Sequence, residues 1–127
     1  MHFQLVDHVI ERTADRITAV KAVTAAEEYL QDHFPGFPVL PGVLMLESLV
    51  QAGRLLVDQD SSDTPLVLVE VRNIRYGNMV KPGQSLHIEV TLRKQQDDGF
   101  DFEGVGKIND QVAVQGRFKL APVPAAA

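Results

Sequence analysis

Three residues between positions 33 and 47 could together move protons beside a carbonyl group. His33 stands just before a stiff loop of prolines and glycines, Gly42 ends that loop, and Glu47 follows within an apolar segment. A histidine is usable as a base near neutral pH, because its unperturbed pKa is about 6.5. Taken alone, His33 could equally be a surface histidine, so its assignment depends on the other two residues.

Gly42 supplies a candidate site for developing negative charge. It opens a predicted helix, so its amide and the next ones lack partners within the helix and lie at the positive end of the helix dipole. Such amides can bind the oxygen of a polarised carbonyl. A base, an oxyanion site and an acid form a coherent set for removing a proton α to a carbonyl and expelling a β substituent. That reaction needs no nucleophile.

Glu47 is the one carboxylate in the predicted helix. No proline occurs between Gly42 and Pro65, and residues 43–57 are apolar on almost every side of a helix. A helix of that kind is typical of a buried position. We therefore expect the Glu47 carboxylate to be buried, which favours its protonated form and suits a proton donor.

The N-terminal part of the chain predicts a hairpin and a short helix. Leu5 to Glu11 and Arg16 to Val23 are rich in β-branched residues and are separated by a polar segment. Thr24 followed by Glu27 is a capping-box pattern, which predicts a short helix through Leu30.

The C-terminal half changes to a period of two, which is typical of strands. In Ser85 to Arg93 every second residue is apolar, and the same alternation continues through 100–108 and 112–120. Leu66 to Tyr76 is also strand-like, but its polar residues disturb the phase, so we expect a bend or bulge. Short turn signals separate these runs at Lys81-Pro82-Gly83, Asp98-Gly99 and Asn109-Asp110.

One apolar helix and about five to six antiparallel strands, each apolar on one face, predict an α+β fold in which the sheet wraps the helix. We expect a single domain over residues 1–121, followed by a disordered tail over 122–127.

The composition argues against several classes of protein. The 127 residues carry a net charge of −5, which disfavours nucleic acid as the main partner. The chain has no cysteine, and its four histidines are too scattered to indicate a metal site. Its apolar runs are shorter than the roughly 20 residues that span a bilayer, and no leader opens it, so we expect no membrane partner and a cytoplasmic location.

The loop and helix together resemble a known enzyme family. The stretch from His33 to Gln51 reads His-Phe-Pro-Gly-x-Pro-x-x-Pro-Gly-Val-Leu-x-x-Glu-x-x-x-Gln. It is similar to the signature of the FabZ-type 3-hydroxyacyl-[acyl-carrier-protein] dehydratases, which have the hot-dog fold. The resemblance extends less strongly to Leu5-Val-Asp7, Lys81-Pro-Gly83 and Phe102-x-Gly104-Val-x-Lys107.

This resemblance implies a hydro-lyase without cofactor or metal. Its substrate would be a 3-hydroxyacyl thioester on the phosphopantetheine of acyl carrier protein, and its product the trans-2-enoyl thioester of fatty-acid or related acyl-chain biosynthesis. His33 would take the C2 proton, Glu47 would protonate the departing hydroxyl directly or through a water, and the Gly42 amide would receive the thioester oxygen. The Val39 carbonyl would orient the imidazole, and Gln51 would position Glu47 from one helical turn away.

The resemblance also implies a homodimer as the smallest catalytic unit, because in that family the histidine and the acid of one site come from different subunits. Further assembly into a trimer of dimers stays open. The acyl chain would lie in an apolar tunnel at the dimer interface. Channel candidates are Phe37, Leu40, Glu70 and Met79. Candidates for contact with the acidic carrier are Arg72, Arg75 and Lys81.

Several residues depart from the family pattern. Phe37 stands where many members have a polar or basic residue, and Glu70 where they commonly have glycine. Gly77 and Asn78 replace residues that are often basic. These departures leave the range of acyl chain lengths and the recognition of the carrier open.

Two other functions compete with the dehydratase. An acyl thioesterase of the same fold would activate water with a carboxylate, and the complete loop signature disfavours it. A non-catalytic acyl- or carrier-binding protein would retain the tunnel, and the presence of both His33 and Glu47 argues against it.

Overall fold

A curved antiparallel sheet with one helix packed on its inner face forms the architecture in the computed structural model, which describes residues 5–23, 42–57, 66–96 and 98–122. Its elements are β1 (His8–Arg12), β2 (Arg16–Ala22), α1 (Gly42–Val57), β3 (Leu66–Tyr76), β4 (Ser85–Gln96), β5 (Gly99–Ile108) and β6 (Gln111–Pro122). The six strands lie in the order β1-β2-β4-β5-β6-β3. The predicted α+β arrangement is confirmed.

The first hairpin is confirmed, with β1 and β2 antiparallel. The predicted helix over 24–30 and the polar break before Pro65 lie outside the described residues. Pro122, which the sequence pattern assigns to the tail, is the last residue of β6 and lies opposite Leu66. The single-domain boundary at residue 121 stays a prediction. In the described part of the chain, no helix is long and apolar enough to cross a bilayer.

The alternation predicted for the C-terminal strands determines which side chains meet the helix. In β4 the side chains of Leu86, Ile88 and Val90 are buried, and those between them face away from α1. The helix contributes Met45, Leu49, Ala52 and Leu56 to the same core. These residues follow the spacing i, i+4, i+7, i+11, so one stripe of the helix is fixed against the sheet.

The bend expected in β3 is present. Its pairing with β6 shifts register between Leu68 and Glu70 and again between Arg72 and Arg75. Asn73 lies within the second shift with φ of 55°, which is a left-handed conformation that asparagine tolerates better than most residues. β3 is an end strand of the sheet, and part of its apolar surface is exposed.

Gly77 follows β3 at a point where the backbone passes very close to β6. Its amide donates to the carbonyl of Ala113 at 2.9 Å, and the amide of Asn78 donates to Val112 at 3.0 Å. A methyl group on Gly77 would overlap the Val112 carbonyl oxygen. This contact leaves no space for a side chain at position 77 unless the backbone shifts.

Replacing Gly77 by alanine should therefore lower the free energy of unfolding by about 2 kcal/mol, since the backbone of β6 cannot move aside cheaply. Urea denaturation measures the difference. The neighbouring change Asn78→Ala, which removes only an exposed side-chain hydrogen bond, should cost about 0.5 kcal/mol. Equal stability of Gly77→Ala and the wild type would contradict the close approach of the two segments.

Candidate active site

Glu47 lies on α1 away from the apolar stripe that faces the sheet. It is two residues beyond Met45, which corresponds to a rotation of about 200° around the helix axis. Its side chain is 38% exposed in the single chain, so the burial expected from the sequence is not observed there. The expected burial was based on the number of apolar residues around the helix, but only one side of α1 contacts the sheet. On the other side, Val43 is 68% exposed.

Gln51 contacts Glu47 across one helical turn, as their spacing predicts. Its Nε2 atom donates to Oε1 of Glu47 at 3.5 Å, and its own Oε1 accepts a 2.7 Å hydrogen bond from the backbone amide of Leu5. Because the Leu5 amide can only donate, it selects the amide orientation in which Gln51 presents its NH₂ group to the carboxylate. The catalytic importance of this contact stays a prediction.

The segment that carries Leu5 is itself fastened to β2. Asp7 donates its backbone amide to Val20 at 2.9 Å, and its carboxylate accepts the amide of Ala22 at 2.7 Å. The same carboxylate lies 3.5 Å from the ammonium group of Lys21, whose side chain is almost fully buried. This clamp fixes the backbone amide that orients Gln51.

Arg54 is the second polar neighbour of Glu47, and the sequence analysis did not assign it a role. Its Nη1 atom lies 3.6 Å from Oε1 of Glu47, and its Nε atom donates to the carbonyl of Leu66 at 3.1 Å. Glu47, Gln51 and Arg54 have the spacing i, i+4, i+7, so they share one side of the helix. That Arg54 shares a helix side with Glu47 could therefore have been predicted from the spacing in the sequence.

Gly42 begins α1, as predicted. A Cβ atom at this position would lie 3.1 Å from the ring of Tyr76, so the Tyr76 side chain covers the start of the helix from the end of β3. Tyr76 is about half exposed. Tyr76 was not predicted as a site residue from the sequence, because the two positions are far apart in the chain and no motif joins them.

A family model matches the chain over most of its length. The ApeI-like family, described as ApeI dehydratase, matches residues 9–117. The chain belongs to this dehydratase family. The matched region contains both His33 and Glu47, although His33 and Val39 lie outside the described residues, so the geometry between base and acid stays a prediction.

Curated relatives of this dehydratase are named 3-hydroxyacyl-[acyl-carrier-protein] dehydratase FabZ. The protein of that name from Caulobacter vibrioides is 36% identical over 121 residues, which cover 91% of this chain and 76% of that protein. The one from Verminephrobacter eiseniae is 39% identical, with 89% and 79% covered.

A solved structure confirms the fold of the dehydratase. The dehydratase heterocomplex ApeI:P from Xenorhabdus doucetiae has a TM-score of 0.81 at 20% identity, over 96% of this chain and 84% of that chain. The hot-dog fold expected from the loop signature is thereby confirmed.

The candidate residues for the channel and the carrier are distributed over several surfaces of the dehydratase. Glu70 pairs with Arg72 at 2.7 Å, and both line a cavity of about 180 Å³. Arg72 lies opposite Arg117, next to the core residue Phe118, so this cavity is on the sheet face away from α1. Glu70 and Glu47 are thus on different sides of the sheet in the single chain.

Arg75 lies on the same outer face as Arg72, opposite Gln115 of β6. Met79 and Lys81 follow β3 and are exposed. Phe37 and Leu40 lie outside the described residues. The roles of all these residues in the channel or in carrier docking stay predictions.

Gln51→Leu should lower the free energy of unfolding by about 1–3 kcal/mol, because the fully buried Leu5 would lose the acceptor for its amide. Urea denaturation measures this loss in the free energy of unfolding. Gln51→Glu keeps a side-chain oxygen for Leu5 while replacing the NH₂ group, so it should recover part of the stability. If Gln51→Leu were as stable as the wild type, the anchoring of Gln51 by Leu5 would be wrong.

Proposed function

We propose that this dehydratase converts 3-hydroxyacyl chains on acyl carrier protein into trans-2-enoyl chains in fatty-acid or a related acyl-chain biosynthesis. The observation that carries the proposal is the match to relatives named for this activity along about nine-tenths of the chain. Glu47 on α1, one turn from the amides that begin at Gly42, supplies a suitable acid beside a suitable oxyanion site.

In the proposed reaction, His33 accepts the proton from C2 of the substrate. The electrons of the C2–H bond form the C2–C3 double bond, and the C3–O bond breaks as Glu47 transfers a proton to the departing hydroxyl. Water leaves, and negative charge that develops on the thioester oxygen is stabilised by the amides at Gly42. Exchange of a proton between the two side chains through solvent restores the starting state.

The proposed catalytic unit is a homodimer in which each site combines residues of both chains. The end strand β3 supports this unit, because it carries Val69, Val71 and Tyr76, whose side chains are about half exposed. An exposed apolar edge strand favours pairing with another chain. The acyl tunnel and the cytoplasmic location also remain parts of the proposal, and whether dimers assemble further into trimers stays open. Native mass spectrometry gives the mass of the intact complex, which distinguishes a homodimer from a complex with a different chain.

His33→Ala and Glu47→Ala should each lower the turnover number by about two orders of magnitude or more, by the usual contribution of acid–base catalysis. The assay follows interconversion of 3-hydroxybutyryl and crotonyl thioesters on carrier protein. Circular dichroism and the urea midpoint control for folding. A near-normal rate in either folded variant would reject the role assigned to that residue.

The same assay separates the competing functions. A thioesterase would release free thiol from an acyl carrier, and a binding protein would retain the acyl carrier without changing it. We expect reversible hydration of the crotonyl thioester with no thiol release. Thiol release without hydration would reject the dehydratase in favour of hydrolysis, and binding without either reaction would favour a non-catalytic protein.

A further inference from the structure

The side chain of Arg54 joins Glu47 to an end strand of the sheet. Its Nη1 atom lies 3.6 Å from Oε1 of Glu47, while its Nε atom donates a 3.1 Å hydrogen bond to the carbonyl oxygen of Leu66. Leu66 is the first residue of β3. One guanidinium group therefore contacts a carboxylate on α1 and the backbone of β3 at the same time.

Arg54 and Gln51 approach the same oxygen of Glu47. Gln51 donates from its Nε2 atom to Oε1 of Glu47 at 3.5 Å, while its own Oε1 atom accepts the hydrogen bond from Leu5. Both contacts are made to Oε1, and in the proposed mechanism Oε2 would carry the proton for the substrate. The two contacting groups are anchored on separate parts of the backbone, Leu5 and Leu66, so together they would limit rotation of the carboxyl group.

We infer that Arg54 is a positioning residue for Glu47 and orients its carboxyl group for the dehydration step. The inference rests on the proposed function, in which Glu47 protonates the departing hydroxyl. Arginine suits the task because its planar guanidinium carries several donors in a fixed arrangement. Lysine places one compact charge on a flexible stem, so it cannot reproduce both contacts in the same way.

This role differs from a contribution to the stability of the fold. The side chains of Arg54 and Glu47 are 39% and 38% exposed. Ion pairs with that exposure to water contribute little to stability, because solvent screens the attraction. The ion pair with Glu47 therefore adds little to stability, and any loss in the free energy of unfolding of an Arg54 variant should come from the hydrogen bond of its Nε atom to Leu66.

Arg54→Gln provides the kinetic test. We expect its turnover number to fall about tenfold, because the carboxyl group of Glu47 would keep only one of its two positioning contacts, with KM within about twofold of the wild type. Arg54→Lys should recover only part of the rate. The control Arg93→Gln removes another half-exposed arginine that pairs with a glutamate, Glu103 on the outer face, and should retain wild-type kinetics.

Two kinetic results would overturn the inference. One is a wild-type turnover number in folded Arg54→Gln. The other is a loss that appears only as a higher KM for carrier-bound substrate and is absent with a pantetheine thioester. That second pattern would place Arg54 in contact with the carrier rather than with Glu47.

A measurement that does not depend on catalytic turnover tests this inference separately from the proposed function. Carbon-13 labelling of glutamate carboxyl groups, with Glu47→Gln to assign the signal, reports the environment of the carboxylate. Arg54→Gln should shift the Glu47 resonance, and Arg93→Gln should not. An unchanged resonance in Arg54→Gln would refute the contact. A shifted resonance in a protein that dehydrates no 3-hydroxyacyl thioester would support the contact and reject the proposed function.

Discussion

In the proposed reaction, the carboxylate of Glu47 has to be held in a defined position on a helix that also builds the core. Burying an ionised carboxylate among apolar side chains costs several kcal/mol unless it is paired. The helix avoids that cost by dividing its surface. Its apolar stripe packs on the sheet, while Glu47, Gln51 and Arg54 lie together elsewhere on its circumference, where water still reaches them. Packing thus uses one side of this sixteen-residue element, and the proposed chemistry uses another.

The position of this helix depends on close contacts with the sheet. A Cβ atom on Gly53 would lie 3.1 Å from the ring of Phe118, and one on Gly104 would lie 3.2 Å from Leu49. Phe118 also stacks on Phe102, with ring centroids 5.1 Å apart. These contacts leave little freedom for α1 to slide over the sheet. The carboxylate of Glu47 is therefore located by packing, and its polar contacts need only fix its rotation.

Much of the fold could be predicted from the sequence, because its strands are amphipathic and alternate regularly. The bulge in β3 was also predictable, since Glu70, Arg72 and Asn73 interrupt that alternation. The helix boundary at Gly42 followed from the end of the proline-rich loop. These features are local, so a few neighbouring residues are enough to determine them.

The surroundings of Glu47 were harder to predict, because they join distant parts of the chain. The amide of Leu5 donates to Gln51, which is 46 positions away in the chain. No local sequence pattern indicates that a backbone group will be the partner. Arg54 shares the helix face of Glu47 and was accessible from its spacing. Its anchor on Leu66 depends on how β3 passes the helix. The expected burial of Glu47 was not observed in the single chain because apolar composition does not say which side of a helix meets the sheet.

The central claim is that His33 and Glu47 form one dehydratase site, shared between two chains. Co-expression of His33→Ala and Glu47→Ala chains with different affinity tags allows the mixed dimer to be purified. Such a dimer contains one site with both native side chains and one site with neither. We predict that it regains about half of the wild-type activity, since one of its two sites is intact. A mixed dimer as inactive as its two parents would contradict the shared site.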